Sequence, residues 1–391
     1  MKRHELSPGK LTFTLSVSLI ALLCAGSAVA QETAVPLAPP SKNSPVAYVY
    51  VSNTVTSRNY QINAYAAAAN GALTPVAGSP FPSNGDDLAV NNQWLFSTDT
   101  VDIFSYSIAA NGALKHVATI NAQHYNNDGT GGPISLFFDR TGAVLYDEDI
   151  YGNASNNTYQ FFNIDQANGS LSYIGATGAA TAAFLTPLTF IGNNQYAYGA
   201  SCIYGFEDIY GFNRLSDGRL TDLNISPPIP AAPNGAYCPY FEAADAGNDV
   251  AISLTPNNDL QNVGPAQLAV YTADADGNLT TNSTWETMPV VAVGNVNYLQ
   301  ASPAGNLLAV GGQNGLQVFH FNGANPITKY TGLLTSDPIF QTFWDNANHL
   351  YAISPANSLL YVFNVTPTTV TKAPGSPYTI NGAQYLAVLP K

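Results

Sequence analysis

The chain has 391 residues, with 12 Lys+Arg against 25 Asp+Glu, a net charge of −13 and only 9% charged residues. So acidic a chain repels nucleic acid and anionic membrane surfaces and has few cations to offer a phosphorylated substrate. With so little charge, its solubility rests on Asn, Ser, Thr and Gly, a composition that suits an extracellular β-protein.

The first segment reads as an address. Lys2, Arg3 and Lys10 precede an apolar run from Leu11 to Ala25, and Ala28-Val29-Ala30 stands before Gln31. This is the pattern of a secretory signal peptide cleaved after Ala30, too short and wrongly flanked for a membrane span. Its removal leaves nine Lys+Arg and 24 Asp+Glu, a net charge of −15. Residues 31–45, with four prolines, read as a flexible leader, and residues 46–391 as one folded domain. The expected location is secreted or periplasmic, without membrane insertion, and the expected state is a monomer. Two cysteines remain, Cys202 and Cys238, and an even count in an exported chain predicts one disulfide.

From residue 69 onward one turn recurs. It is Ala69-Asn70-Gly71-Ala72-Leu73, then Ala110-Asn111-Gly112-Ala113-Leu114, then Ala167-Asn168-Gly169-Ser170-Leu171. Ser216-Asp217-Gly218-Arg219-Leu220, Ala275-Asp276-Gly277-Asn278-Leu279 and a looser Asn322-Gly323 continue it, at spacings of 41 to 59 residues. Asn-Gly and Asp-Gly favour tight hairpin turns, and each copy follows an alternating aromatic strand such as Ile103–Ile108. The spacing predicts four-stranded propeller blades. Inner strands are expected at 88–90, 134–138, 188–191, 240–244, 298–301 and 339–344. The first blade opens at Tyr48–Val51, which reads as a second strand, so its inner strand must come from Gln384–Val388 at the far end. The prediction is an all-β, seven-bladed β-propeller closed by its C-terminal strand.

Long loops, among them 123–132, 150–157, 226–239 and 256–265, fall on one face of such a ring and make it the expected ligand face. Cys202 and Cys238 both belong to that face. The densest set of oxygen ligands is Asp147-Glu148-Asp149, where a strand sends Asp147 and Asp149 to one side. These two could seat Ca²⁺, although acidic strand ends are also simply solvated and no full calcium loop is present. Beyond that possible Ca²⁺, no cofactor is expected. Asp86-Asp87 and Glu207-Asp208 are weaker versions. His124, in a long loop, is the histidine placed to reach the mouth, and Tyr237 and Tyr240 fall near it. His320 reads as strand packing. No nucleophile elbow, zinc pair or phosphate loop occurs.

The blade text Ala47-Tyr48-Val49-Tyr50-Val51-Ser52-Asn53, followed by Gly71-Ala72-Leu73-Thr74-Pro75-Val76-Ala77-Gly78-Ser79-Pro80-Phe81, resembles the lactonase-like seven-bladed propellers. That family includes 6-phosphogluconolactonases and fungal muconate-lactonising enzymes, and the resemblance spans the mature chain. Its hydrolytic members carry a His-x-His-Ser-Val inner strand and an Asp-Leu-Gly loop. The matching stretches here are Gly132-Pro133-Ile134-Ser135-Leu136 and Asp149-Ile150-Tyr151-Gly152, which keep Asp149 and lack both histidines. Thr186-Pro187 and Cys202 stand where the family has Arg-His and Glu. The resemblance therefore implies the fold without the proton-relay and oxyanion groups a lactonase needs. The expected function is binding of a small molecule or protein through the long-loop face, with a diverged lactone hydrolase as the alternative.

Overall fold

A strand sends successive side chains to opposite faces, so a run apolar at every position must be covered on both sides. Trp94–Thr98, Leu307–Gly312 and His349–Ser354 have no polar face of alternating residues, and each is buried along its whole length. In the computed structural model they are second strands of blades, packed between neighbouring sheets. The structure describes residues 44–56, 59–125, 132–150, 158–178, 186–203, 206–258 and 261–391. The expected signal peptide and nearly all of the leader lie outside the described residues.

Seven antiparallel sheets form the domain. Blade 1 is built from Ala47–Thr56, Asn59–Ala67 and Leu73–Pro75, with Ala383–Pro390 added on its inner side. The inner strands of blades 2 to 7 are Asp87–Val90, Gly132–Phe138, Thr189–Phe190, Ala236–Ala244, Val296–Ala301 and Gln341–Trp344. Val388 pairs with Val49 and Leu386 with Val51, so the two ends of the domain share one sheet. That closure leaves the first blade no open inner edge. Three short strands escaped the sequence pattern: Phe81–Ser83, Gln261–Asn262 and Tyr378–Thr379.

The core lies between the blades. Seven separate apolar clusters fill the joints between adjacent sheets, for example Tyr48, Tyr50, Leu95 and Tyr106 between blades 1 and 2. Six of the seven joints are finished by the recurring turn, which presses on the second strand of the preceding blade, and between blades 6 and 7 Tyr330 donates its hydroxyl to the Thr366 carbonyl instead. Tyr50 donates its hydroxyl to the carbonyl of Gly112, Tyr146 to Gly218 and Tyr198 to Gly277, at 3.1, 2.6 and 2.8 Å. Trp94 lies against Gly169, and His349 and Asn364 lie against Gly71, which carries the same joint across the seam. Glycine is required twice over at these turns. Gly112 and Gly218 have φ of +84° and +90°. A Cβ added there would stand 2.4 Å from Tyr48 or from Val144.

A second repeated turn joins inner to second strands. Oδ1 of Asn91, Asp139, Asp245 and Asp345 accepts two backbone amides each, such as those of Thr141 and Gly142 at 3.0 and 2.9 Å. At Asp345 the other oxygen accepts from His349 Nδ1 at 2.7 Å and Tyr351 at 2.8 Å, all three side chains being buried. Cys202 and Cys238 are bonded, with Cα atoms 5.3 Å apart, tying the second strand of blade 4 to the inner strand of blade 5.

Two outcomes follow for stability. Gly218→Ala must lower the urea midpoint by the equivalent of about 2–3 kcal/mol, from the left-handed angle plus the clash, whereas Tyr146→Phe removes one hydrogen bond and costs about 1 kcal/mol. Equal, small effects would show that the turn does not press on the neighbouring blade. Removing the bridge with Cys202→Ser and Cys238→Ser together should cost about 3–4 kcal/mol by the chain-entropy model, read as a shift of the same midpoint.

Candidate functional site

Seven inner strands surrounding one axis leave a channel, and it holds a cavity of about 440 Å³. Its wall includes Ser135 of blade 3, Glu242 of blade 5, Tyr298 of blade 6, and Gln341, Phe343 and Trp344 of blade 7. The cavity extends to Asp139, Arg140, Ser302 and Pro303, which belong to the turns from inner to second strands. It therefore reaches the short-turn end of the channel, opposite the long-loop face where the sequence placed the ligand. A second cavity of about 430 Å³ lies at blade 5 beside the exposed Trp285.

The channel is acidic. Asp87, Glu148 and Glu242 are 2%, 5% and 8% exposed. Asp87 opens the inner strand of blade 2, and its Oδ2 accepts the Leu136 amide of blade 3 at 2.6 Å. Gln341 holds the same strand position in blade 7 and accepts the Leu386 amide of blade 1 at 2.9 Å. These two side chains stitch neighbouring inner strands together. Glu148 lies in the second strand of blade 3, directly across the ladder from the cavity-lining Ser135. Glu242 follows a register shift in its strand and accepts from Thr186 Oγ1 at 3.4 Å.

Burial is the main cause of every shift here, since a desolvated carboxylate has no water to stabilise its charge. It pushes Asp87 up to about 7, against the opposing pull of the Leu136 and Leu88 amides. Glu148 rises to about 8 through burial and the neighbouring Asp87. Glu242 lies well above the usual carboxylate range, with burial first and repulsion from Glu148 added. Burial also raises Tyr298 and Tyr385, and the charge of Asp87 acts on both phenols; Glu242 acts on Tyr298 as well. Side chains from blades 1, 2, 3, 5 and 6 thus share one electrostatic neighbourhood.

Cations do not answer these acids. Arg140, at the end of the cavity, donates Nε to the carbonyls of Phe190 and Ile191 at 2.8 and 3.1 Å and Nη2 to those of Ala244 and Asp245. Its guanidinium is a staple across blades 3, 4 and 5. Arg214 is paired with the buried Asp139 at 2.5 Å.

The residues singled out by sequence divide. Tyr240 is half-buried against Phe241 and feels the charge of Glu148, so it belongs to this neighbourhood. Asp147 and Asp149 share one face of their strand as expected, but that face is turned to blade 2, with Leu145 among the apolar residues of that joint. Both are completely buried, and Asp149 accepts a hydrogen bond from Gln160. Burial raises Asp147 well above the usual range, with Asp149, Glu148 and Asp87 adding repulsion. Among the described residues no three acidic, His or Cys side chains are gathered as a metal ion would need, and the possible Ca²⁺ pair Asp147 and Asp149 is not part of such a group. His124 is exposed and turned outward, because Tyr125 beside it stacks at 4.2 Å on Tyr173 of the outer strand of blade 3. Tyr237 is a core residue bonded to Gln267. Glu207 stands opposite Cys202 in blade 4, and its side chain lies outside the described residues. Glu242 and Tyr298 were missed by sequence.

No family model matches the sequence, nor does any curated protein sequence. Solved structures do match. A putative 6-phosphogluconolactonase of Bacteroides fragilis superposes with a TM-score of 0.66 at 14% identity, over 90% of this chain and 100% of its own. The chain is structurally similar to these lactonase-type propellers. A second such protein, from Bacteroides uniformis, gives 0.64 at 13% over 88% and 99% of the two chains. A periplasmic gluconolactonase of Pseudomonas aeruginosa gives 0.65 at 15% over 88% and 99%. Identity this low speaks for the fold alone.

The carboxyls yield a pH prediction. A folded value raised above the unfolded one, about 4 for Asp and Glu, means that the folded chain keeps protons the unfolded chain has lost. Stability from Asp87 and Glu148 is then full below about pH 4 and is lost as pH climbs toward their folded values, at up to ~1.4 kcal/mol per unit and group. Urea midpoints should fall between about pH 5 and pH 8, and the slope should flatten in Asp87→Asn. A wild-type midpoint that is level over this window would refute the buried, protonated state.

Proposed function

We propose that this chain is an exported propeller that binds a small, unphosphorylated organic molecule in its axial cavity and does not hydrolyse lactones. The observation that carries this reading is the cavity's chemistry. A cavity of about 440 Å³ has a carboxyl, an amide, a phenol and a hydroxyl beside aromatic and aliphatic side chains, the usual make-up of a small-molecule site. The guanidinium at its end is turned onto backbone carbonyls of blades 4 and 5. A phosphate entering the cavity would meet the carboxyl of Glu242, so phosphorylated sugars are disfavoured. The disulfide and the likeness to a periplasmic gluconolactonase support export.

One observation favours a second reading. Asp87 and Glu148 are held at about 7 and about 8, where a carboxyl serves as a general acid or base. Hydrolysis also needs a donor for the oxyanion, and the positions where lactonases carry His and Arg hold Ile134, Thr186 and Pro187 here.

The two readings separate in one experiment. Proton release from D-glucono-1,5-lactone and from its 6-phosphate is followed on the mature chain by pH-stat, and 6-phosphogluconate is titrated by calorimetry. The expected result is no turnover above the uncatalysed rate and no heat from the phosphate. Turnover that disappears in Glu242→Gln or Glu148→Gln would establish the hydrolase instead.

A further inference from the structure

Three carboxyls desolvated around one axis are an unstable arrangement unless something neutralises them. Protons do so in part, since burial raises all three carboxyls above their usual range. A ligand can do so in two ways: as a metal ion, or as an organic cation. A hard metal requires several oxygens at about 2.0–2.6 Å, and no three acidic, His or Cys groups among the described residues are gathered in that way. The walls suit the other case. Phe241, Tyr298, Phe343 and Trp344 line the same cavity as Glu242, contributed by three consecutive blades. Tyr298 and Phe343 have ring centroids 6.0 Å apart, so two blades present one continuous aromatic surface. Aromatic faces attract a weakly hydrated ammonium group through their quadrupoles, the more so where water is excluded. A carboxylate nearby completes the recognition without touching the nitrogen as closely as it would a metal.

We infer that the ligand of the axial cavity carries a positively charged nitrogen, held between Glu242 and the aromatic walls of blades 5, 6 and 7. This inference rests on the reading of the cavity as a ligand site. It accounts for an acidic channel whose neighbouring arginine donates to backbone carbonyls, and for the net charge of −13, which draws cations toward the molecule. It also carries a linkage. Burial pushes Glu242 well above the usual carboxylate range, and a cation beside it favours the carboxylate, so binding expels a proton and tightens as pH rises.

The test uses a matched pair of probes on the mature chain: choline and its uncharged carbon isostere, 3,3-dimethylbutan-1-ol. Calorimetry is run at two pH values and in buffers of different ionisation enthalpy. Choline is expected to bind at least about tenfold more tightly than the isostere and to release a proton. Glu242→Gln should abolish the proton release and the pH dependence. Should that variant fail to fold, Phe343→Leu serves in its place and must weaken choline while sparing the isostere. Equal affinity for the two probes, or choline binding without proton release, overturns the cationic assignment and leaves the cavity as a site for neutral molecules. If neither probe binds, nor glucose, nor D-glucosamine, the cavity reading itself fails.

Discussion

The pressure of a glycine turn on the blade before it holds this ring together. No single sheet here has a core of its own; apolar residues on both of its faces are covered by its two neighbours. A joint of that kind is stable only if adjacent blades meet at a fixed height and angle. The turn sets both, because a tyrosine or tryptophan of one blade lies flush on the turn of the next, and its hydroxyl, where present, is satisfied by the turn carbonyl. Glycine is therefore chosen for two reasons that agree, its left-handed angle and its missing side chain. The seam obeys the same rule, with Gly71 lying against His349 and Asn364. The closing strand consequently completes a ring whose last joint resembles the others.

A second constraint acts at the axis. Inner strands converge there, and some of their amides point to the next blade instead of to a sheet partner. Asp87 and Gln341 meet that need at equivalent places, one with a carboxylate and the other with an amide. The exchange of Gln for Asp shows that acceptor geometry is required and charge is not. Asp87 is thus at once a structural stitch and a titratable group beside the channel. Its burial is tolerable because the Leu136 amide offsets part of the desolvation.

What sequence could reveal follows from this division. The blades were legible because Asn-Gly and Asp-Gly repeat at a fixed place after aromatic strands, and the joint forces that repetition. The turns at Asn91, Asp139, Asp245 and Asp345 repeat just as regularly in space. They were overlooked because an Asx turn accepts many residues at its other positions and leaves little trace in the text. The site was harder still. In Asp147-Glu148-Asp149, alternation correctly put the outer two on one side, yet only the ring decides which side faces the channel, and it is the side of Glu148. Glu242 is a lone acid in an aromatic strand whose register shifts beside it, so period-two reasoning passes over it. His124 looked close to the mouth in sequence, but stacking of Tyr125 on Tyr173 draws its segment to the outer strand of blade 3.

The same division bears on how a fold can be shared at 14% identity. Residues that set the joints are bound by clearance: a methyl group at Gly218 meets Val144, and a smaller ring at Tyr146 loses its carbonyl partner. Ser135, Glu242 and Tyr298 line the cavity and belong to none of the seven apolar clusters, so changing them need not disturb a joint. Cys202 is fixed by its bond to Cys238, which links blades 4 and 5. Glu242 brings a carboxyl to the axis from blade 5, and Arg140 donates to the backbone carbonyls beside it. The chemistry of the channel can therefore change at a few axial positions while the ring of turns around it stays as it is.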